Sequence, residues 1–370
     1  MPRAPGVARC VAPSNGGDLA RNYCRAAKGW LGPSGGSPRS IPIGGRGVGA
    51  RVALGVCATD REIVSGQYGT APPGEARLIL GHESLGKVEA APPGSGLQPG
   101  DTVVGIVRRP DPVPCVACAA GEWDMCRNGR YSERGIKARH GYGSEWFRVE
   151  PEFSLKIDPA LQHLGVLLEP ASILAKAWEH IVRIGHRARG WQPRTLLVTG
   201  AGPIGLLAAM MGLQRGLDVH VFDHNQSGVK PALVRDLGGT YHDTAIADIF
   251  EHFLPDIIVE CTGVPSVIRD VLGRTAATGI VCLTGVSSPH RLHDVDFGWL
   301  NRTLVLDNQV VFGTVNANRR HYEMAADALA HADRKWLSRL ITRRVPLDRW
   351  REALEPRPDD VKVIIEFQPA

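Results

Sequence analysis

Five short apolar runs punctuate the second half of the chain: TLLVTG (Thr195–Gly200), LDVHVFD (Leu217–Asp223), DIIVEC (Asp256–Cys261), GIVCLTG (Gly279–Gly285) and VVFGTV (Val310–Val315). Their length and lack of alternation suit strands buried on both faces. Segments with helical character separate them, among them LLAAMMGLQRG, KPALVRDLG and VPSVIRDVLGRT. Strands alternating with helices predict a parallel, doubly wound sheet with right-handed crossovers.

The earlier part has a different texture. From Arg51, RVALGVCATD reads as a strand, REIVSGQYG as the start of a short helix, RLILGHESLGKVEAA as two strands around Gly81–Glu83, and LQPGDTVVGIV as a turn feeding another strand. Short strands at close intervals, joined by Pro/Gly turns, predict a small all-β module. GVLLEPASILAKAWEHIVRI (Gly165–Ile184) is a long helical pattern. The tail supplies two helices, HYEMAADALAHA and PLDRWREAL, and a closing strand, VKVIIEF, that can rejoin the β module. Residues 1–50 are dominated by Gly, Pro, Ser and Arg without periodicity, and are expected to form an irregular leader.

Composition narrows the picture. A chain of 370 residues suggests about two domains. The net charge is +5, but the basic residues are scattered and not interleaved with aromatics, so a nucleic-acid partner is not expected. No run of 18 apolar residues exists, which excludes a membrane-spanning helix. The first 30 residues hold five basic side chains but no continuous apolar core, which argues against a secretory signal. Of eight cysteines, three cluster in one loop, favouring metal binding over disulfides and a reducing, cytoplasmic compartment.

The first buried run leads into GAGPIG, then a helix, a second strand and an acid. Gly200 lets the chain turn off the strand, Gly202 lets the backbone approach a pyrophosphate, and Gly205 lets the helix pack on the sheet. The helix start offers free N–H groups to the phosphates. Asp223, 23 residues beyond Gly200, can bind the ribose hydroxyls. Strand, turn, helix and acid together predict a dinucleotide site over Gly200, Ala201, Gly202, Pro203, Ile204, Gly205 and Asp223.

Cys57, His82, Glu83 and Glu169 are four candidate metal ligands on three separate segments. Each alone has a plain structural explanation: a small buried thiol, a core histidine, two surface acids. Thiolate, imidazole and carboxylate together suit zinc, and a catalytic zinc keeps one position open.

GVCATD, GHESLGKV, QPGDTVVGIV, CVAC with a later cysteine, LLEPASI, VTGAGPIGLLAA, ECTG and PLDRWREAL resemble the zinc-containing medium-chain dehydrogenases. RRPDP, EWDMCRNGRYSERGIK, HGYGSEWF and FGTVNANRRHYEMA are similar to the glucose 1-dehydrogenase branch. The resemblance covers about residues 51–370. It implies a GroES-like β-rich catalytic domain over residues 1–171, completed by 317–370, and a Rossmann domain over 172–316, with the active site in the cleft between them. It implies Cys57 and His82 as catalytic-zinc ligands, with Glu83 and Glu169 as ligand or alternating ligand. Thr59 matches the hydroxyl that passes the substrate proton to solvent. Glu133 and Glu169 match residues that bind sugar hydroxyls, and Asn316 one that touches sugar and nicotinamide. Thr284, Gly285 and Val286, with Thr314 and Val315, match the nicotinamide lining. The implied reaction is oxidation of an aldose at C1, D-glucose first, to the lactone with NAD(P). Dimers or tetramers formed through the Rossmann sheet edge are expected.

Three features depart from the family pattern. The cysteine loop has Pro112 where the first of four structural-zinc cysteines stands, leaving Cys115, Cys118 and Cys126; Asp111 could supply the fourth ligand, or the loop holds only thiols. Asp223 favours NAD, and His224 stands where NADP users carry arginine, while Lys230 leaves dual use as the alternative. The leader lacks the opening strands of the β module. Either those strands are degenerate or the segment reflects an altered reading of the gene, in which case the zinc lobe would suffer and the nucleotide domain survive. The rivals are another polyol or alcohol dehydrogenase of the same family and a nucleotide-binding protein with an impaired catalytic lobe.

Overall fold

A computed structural model describes residues 47–287 and 295–367. The described chain divides into two compact units. One gathers the chain up to Glu169 with Ala317–Glu323 and the segment from Arg343; the other comprises Pro170–Asn316 and Met324–Thr342.

In chain order the strands of the first unit are β1 (Gly47–Val56), β2 (Glu83–Ala90), β3 (Thr102–Gly105), β4 (Arg108–Arg109), β5 (Ser132–Arg134), β6 (Ala138–Arg139), β7 (Trp146–Val149) and β8 (Ser154–Lys156). Those of the second are β9 (Thr195–Thr199), β10 (Asp218–Phe222), β11 (Thr240–His242), β12 (Ile257–Glu260), β13 (Ile280–Leu283) and β14 (Val310–Gly313). β15 (Ile341–Pro346) and β16 (Lys362–Glu366) return to the first unit's sheet.

That sheet has seven strands, with β1 pairing antiparallel to β16, β2 and β7. Its core holds Leu54, Val56, Tyr142, Phe147, Val149, Val363 and Ile365, with Trp350 of the tail packed among them. The leader expectation is corrected over residues 47–50, which belong to β1. Glycines at 47 and 49 hide the alternation, but Val48 and Ala50 pair in register with β2 and β7. Residues 1–46, where the rest of that expectation falls, lie outside the described residues. RLIL is not a ladder strand either. The backbones of Ile79, Leu80 and Gly81 accept N–H groups of Gly141, Gly143 and Tyr142. Side chains at Gly141 and Gly143 would overlap the Leu80 backbone, so these glycines permit that loop-to-loop contact.

The second unit carries a six-stranded parallel sheet in the order β11-β10-β9-β12-β13-β14. The order reverses between β9 and β12, the switch point where ligands bind such sheets. Leu197, Ile258 and Val281 pack with Ile246, Ile249 and Val271 of the flanking helices. The doubly wound expectation is therefore met. Sequence periodicity missed β11 and the helices Ile246–His252, Phe297–Leu306 and Arg334–Leu340.

Candidate active site

Antiparallel pairing of β1 with β2 places Gly55 opposite Glu83, so the end of one strand lies beside the start of the other. Cys57 immediately follows β1 and His82 immediately precedes β2. The register thus brings Cys57 to the consecutive pair His82 and Glu83: donor atoms of all three lie within 4.8 Å of one another. A side chain at Gly55 would occupy the space of the Glu83 carboxylate.

Cys57 also caps the helix α1 (Ala58–Val64), and its N–H donates to Asp60 Oδ2 at 2.9 Å. The other oxygen of Asp60 lies 3.5 Å from His82 Nδ1, with both side chains buried. One buried carboxylate therefore braces the thiol segment and the imidazole together. Burial opposes charge on each group, but the His82–Asp60 attraction outweighs it. Asp60 is held below the usual carboxylate range and His82 well above the usual imidazole range. Thr59 Oγ1 lies 3.8 Å from Cys57 Sγ on the same helix.

Both oxygens of Glu83 accept from Lys362 Nζ, at 2.6 and 2.7 Å. Glu169 opens the helix α2 (Leu168–Gly185). Burial, relieved by His82 and reinforced by Glu83, pushes its carboxyl up to about 7. Its carboxylate does not join the tight three-donor cluster, although it is close enough to share the cluster's field.

In the second unit, Gly200 leaves β9 with φ 92°, and Gly202 precedes the helix α3 (Pro203–Leu213), with Pro203 in its first turn. A side chain at Gly205 would strike the Gly200 carbonyl, whereas Gly202 faces open space. Ala201 is buried, Ile204 half-buried, and the Ala201 N–H donates to Asp223 Oδ2 at 2.7 Å. Asp223 Oδ1 accepts from the Asn225 N–H at 3.1 Å. Lys230 Nζ stands 3.7 Å from Asp223 and His224 Nδ1 3.5 Å from it. Beyond β13, Thr284 and Gly285 donate to the Glu260 carbonyl, and Val286 is exposed. Beyond β14, the Thr314 N–H donates to the Leu283 carbonyl, the Val315 carbonyl accepts from buried Lys176 at 3.0 Å, and Asn316 adopts a left-handed φ of 65°.

Residues 50–159 match the alcohol dehydrogenase GroES-like domain family, and residues 162–367 match the glucose dehydrogenase C-terminus family. A glucose 1-dehydrogenase from Methanocella arvoryzae is 42% identical over 322 residues, covering 85% of this chain and 89% of the relative. The chain belongs to the glucose dehydrogenase family. Glucose 1-dehydrogenase 1 of Caldivirga maquilingensis is 39% identical, covering 86% of this chain and 90% of the relative. The solved Haloferax mediterranei glucose dehydrogenase in complex with NADP, Zn and gluconolactone is 32% identical, with a TM-score of 0.83 over 90% of this chain and 96% of that one.

In this glucose dehydrogenase family member, Glu133 is buried on β5, and Oε1 accepts from Arg108 Nε and Nη2 at 3.1 and 2.9 Å. Arg108 also donates to the Asp124 carbonyl and lies over the Tyr131 ring. The thiols of Cys115, Cys118 and Cys126 converge within 4.8 Å of one another. Backbone N–H groups of Cys118 and Arg127 lower Cys115 to about 6, while burial raises Cys118 to about 11. Asp111 does not join them. Its Oδ1 accepts from the Val113 N–H, and its Oδ2 accepts from Asn128 and Arg130, at 2.8, 2.8 and 3.2 Å. The cluster of donors within 4.8 Å of one another therefore comprises the three thiols, with Asp111 held by the Val113 N–H, Asn128 and Arg130. Sequence reasoning missed Asp60 and Lys362. The signal for Asp60 is its place three residues after the thiol, where a capping acid belongs; the sequence gives none for Lys362.

Proposed function

We infer that the chain oxidises an aldose, D-glucose first, at C1, with zinc and NAD(P)+, yielding the lactone. The observation that carries the reading is the convergence of the Cys57, His82 and Glu83 donors around one point. The donor set suits zinc: a thiolate, an imidazole and a carboxylate, with Glu169 a further acid nearby. His82 turns Nδ1 toward Asp60, so Nε2 is the nitrogen available to a metal. The glycine turn, the helix start and Asp223 suit a dinucleotide in the same way.

When bound, zinc supplies Lewis-acid polarisation of the anomeric oxygen and the nicotinamide accepts the hydride. This chain's own residues do the rest. Thr59 receives the proton leaving the C1 hydroxyl and passes it toward solvent. Glu133, fixed by Arg108, and Asn316, fixed by its left-handed backbone, orient the sugar hydroxyls. Thr284, Gly285, Val286, Thr314 and Val315 line the nicotinamide, and Gly200–Gly205 seat the pyrophosphate. Lys230 stands beside Asp223 and offsets its charge, which supports use of NADP as well as NAD.

No described helix is long and apolar enough to cross a membrane, and the thiol sites suit a reducing cytoplasm. β14 forms the edge of the parallel sheet, and the helix Phe297–Leu306 that precedes it in the chain exposes Phe297, Val305 and Leu306, a surface suited to a second copy of the chain.

The test of the reaction is steady-state reduction of NAD+ and of NADP+ with D-glucose, galactose, xylose and a simple secondary alcohol, with the product identified by NMR. Lactone from glucose with either cofactor supports the reading. Turnover of the simple alcohol with none of the sugars would sink it in favour of another alcohol dehydrogenase.

A further inference from the structure

We propose that Glu260 sets the balance between oxidised and reduced nicotinamide cofactor, its buried negative charge favouring the cationic ring over the neutral one. The proposal rests on the dinucleotide reading above. Glu260 ends β12 at the carboxyl edge of the sheet and is fully buried. Its Oε1 accepts from the Thr262 N–H at 2.7 Å, the Gly263 N–H at 3.1 Å, Thr199 Oγ1 at 3.3 Å and the Thr262 hydroxyl. Its Oε2 accepts from the Gly263 N–H at 3.2 Å. The Thr262 and Gly263 N–H groups can only donate, so the carboxyl is cradled by two backbone donors. Among the described residues no cation forms an ion pair with it, so the buried charge has only dipoles to face.

The position of that charge gives it a role. Glu260's own carbonyl accepts from the N–H groups of Thr284 and Gly285, at 2.8 and 3.1 Å, and from Thr284 Oγ1 at 2.7 Å. A Cβ at Gly285 would stand 2.8 Å from Glu260 Oε2 and overlap the Gly263 nitrogen. The carboxylate therefore lies directly behind Gly285, on the strip Thr284–Val286 assigned to the nicotinamide. Ser287 Oγ donates to the Gly263 carbonyl at 2.7 Å, closing the strip onto the turn that the carboxylate holds. The nicotinamide ring is cationic when oxidised and neutral once it has taken the hydride. A fixed charge in a low-dielectric interior acts on the first form and hardly on the second. Glu260 is thus a positioning residue for the strip and an electrostatic bias on the cofactor, favouring entry of the oxidised form and departure of the reduced one.

The experiment is titration of the full-length protein with NAD+ and with NADH, for wild type, E260Q and T199V. Removing the charge with the shape kept is expected to weaken NAD+ relative to NADH by roughly three- to tenfold. T199V removes one donor and keeps the charge, so it should move both affinities together. If E260Q does not fold, E260D carries the charge away from Gly285 and should shift the ratio the same way, by less. An unchanged ratio in the foldable Glu260 variant, or an equal shift in T199V, overturns the proposal. If the wild type binds neither form, the dinucleotide reading itself fails and this inference with it.

Discussion

Lys362 and Glu83, from opposite ends of the chain, form a fully buried ion pair in which the ammonium lies 2.6 and 2.7 Å from the two carboxylate oxygens. Burial alone would lower the lysine's pKa, but Glu83 more than offsets it and holds the ammonium above its usual range. β16 therefore does more than close the sheet beside β1. It delivers a cation that neutralises an acid of the candidate metal cluster.

Breaking that pair strands a buried charge, so Lys362→Met is expected to lower stability by about 3–5 kcal/mol. Thermal melts of K362M, E83Q and the double variant check this. The double variant should recover part of the loss, because the two groups are in direct contact.

Asp60 braces the imidazole from behind. Asp60→Asn keeps an oxygen that can accept the Cys57 N–H and removes the charge facing His82. Zinc affinity is expected to fall by about 10- to 100-fold, the usual effect of losing an outer partner of a ligating histidine. Competition with a chromophoric chelator measures it, and a melt separates it from unfolding.

We propose Glu133 as a residue that orients the sugar, which a simple alcohol would not need. Glu133→Ala would strand the Arg108 guanidinium, so Glu133→Gln is the cleaner change. We expect kcat/KM for glucose to drop by roughly 10- to 100-fold, with turnover of a simple alcohol unchanged. Parallel losses on both substrates would remove Glu133 from the sugar site.

Acid stability has an identified contributor. Burial opposes ionisation of Glu150, but Arg109, with Arg134, outweighs it and holds the carboxyl at about 2. Because the folded value lies below the ordinary 4.5, its stabilising contribution is fully present above that pH and is lost as pH falls from about 4.5 toward 2. Glu150→Gln should flatten the stability curve over that window and leave its shape near neutrality unchanged, as read by denaturant titration at stepped pH.

The buried runs at 195–200, 217–223, 256–261, 279–285 and 310–315 announce the parallel sheet because both of its faces are covered, which leaves continuous apolar strands. The strand at Gly47 stays hidden because its pairing is a backbone property that glycine does not advertise. Cys57, His82 and Glu83 are visible as chemistry, but their convergence depends on the β1–β2 register. Lys362 depends on a contact across 279 residues of sequence, and the engagement of Asp111 by Asn128 and Arg130 on the fold of one loop. Such contacts are long-range or specific to side-chain geometry, and neither leaves a periodic trace.

We propose that the chain oxidises glucose through zinc held at Cys57 and His82. The most direct measurement is zinc per chain on the purified protein, together with glucose-dependent NAD(P)+ reduction before chelation, after chelation and after zinc is restored. We expect tightly held zinc, loss of turnover with its removal, recovery on its return, and loss of both zinc and turnover in C57S. A zinc-free chain that oxidises glucose at the full rate would contradict it.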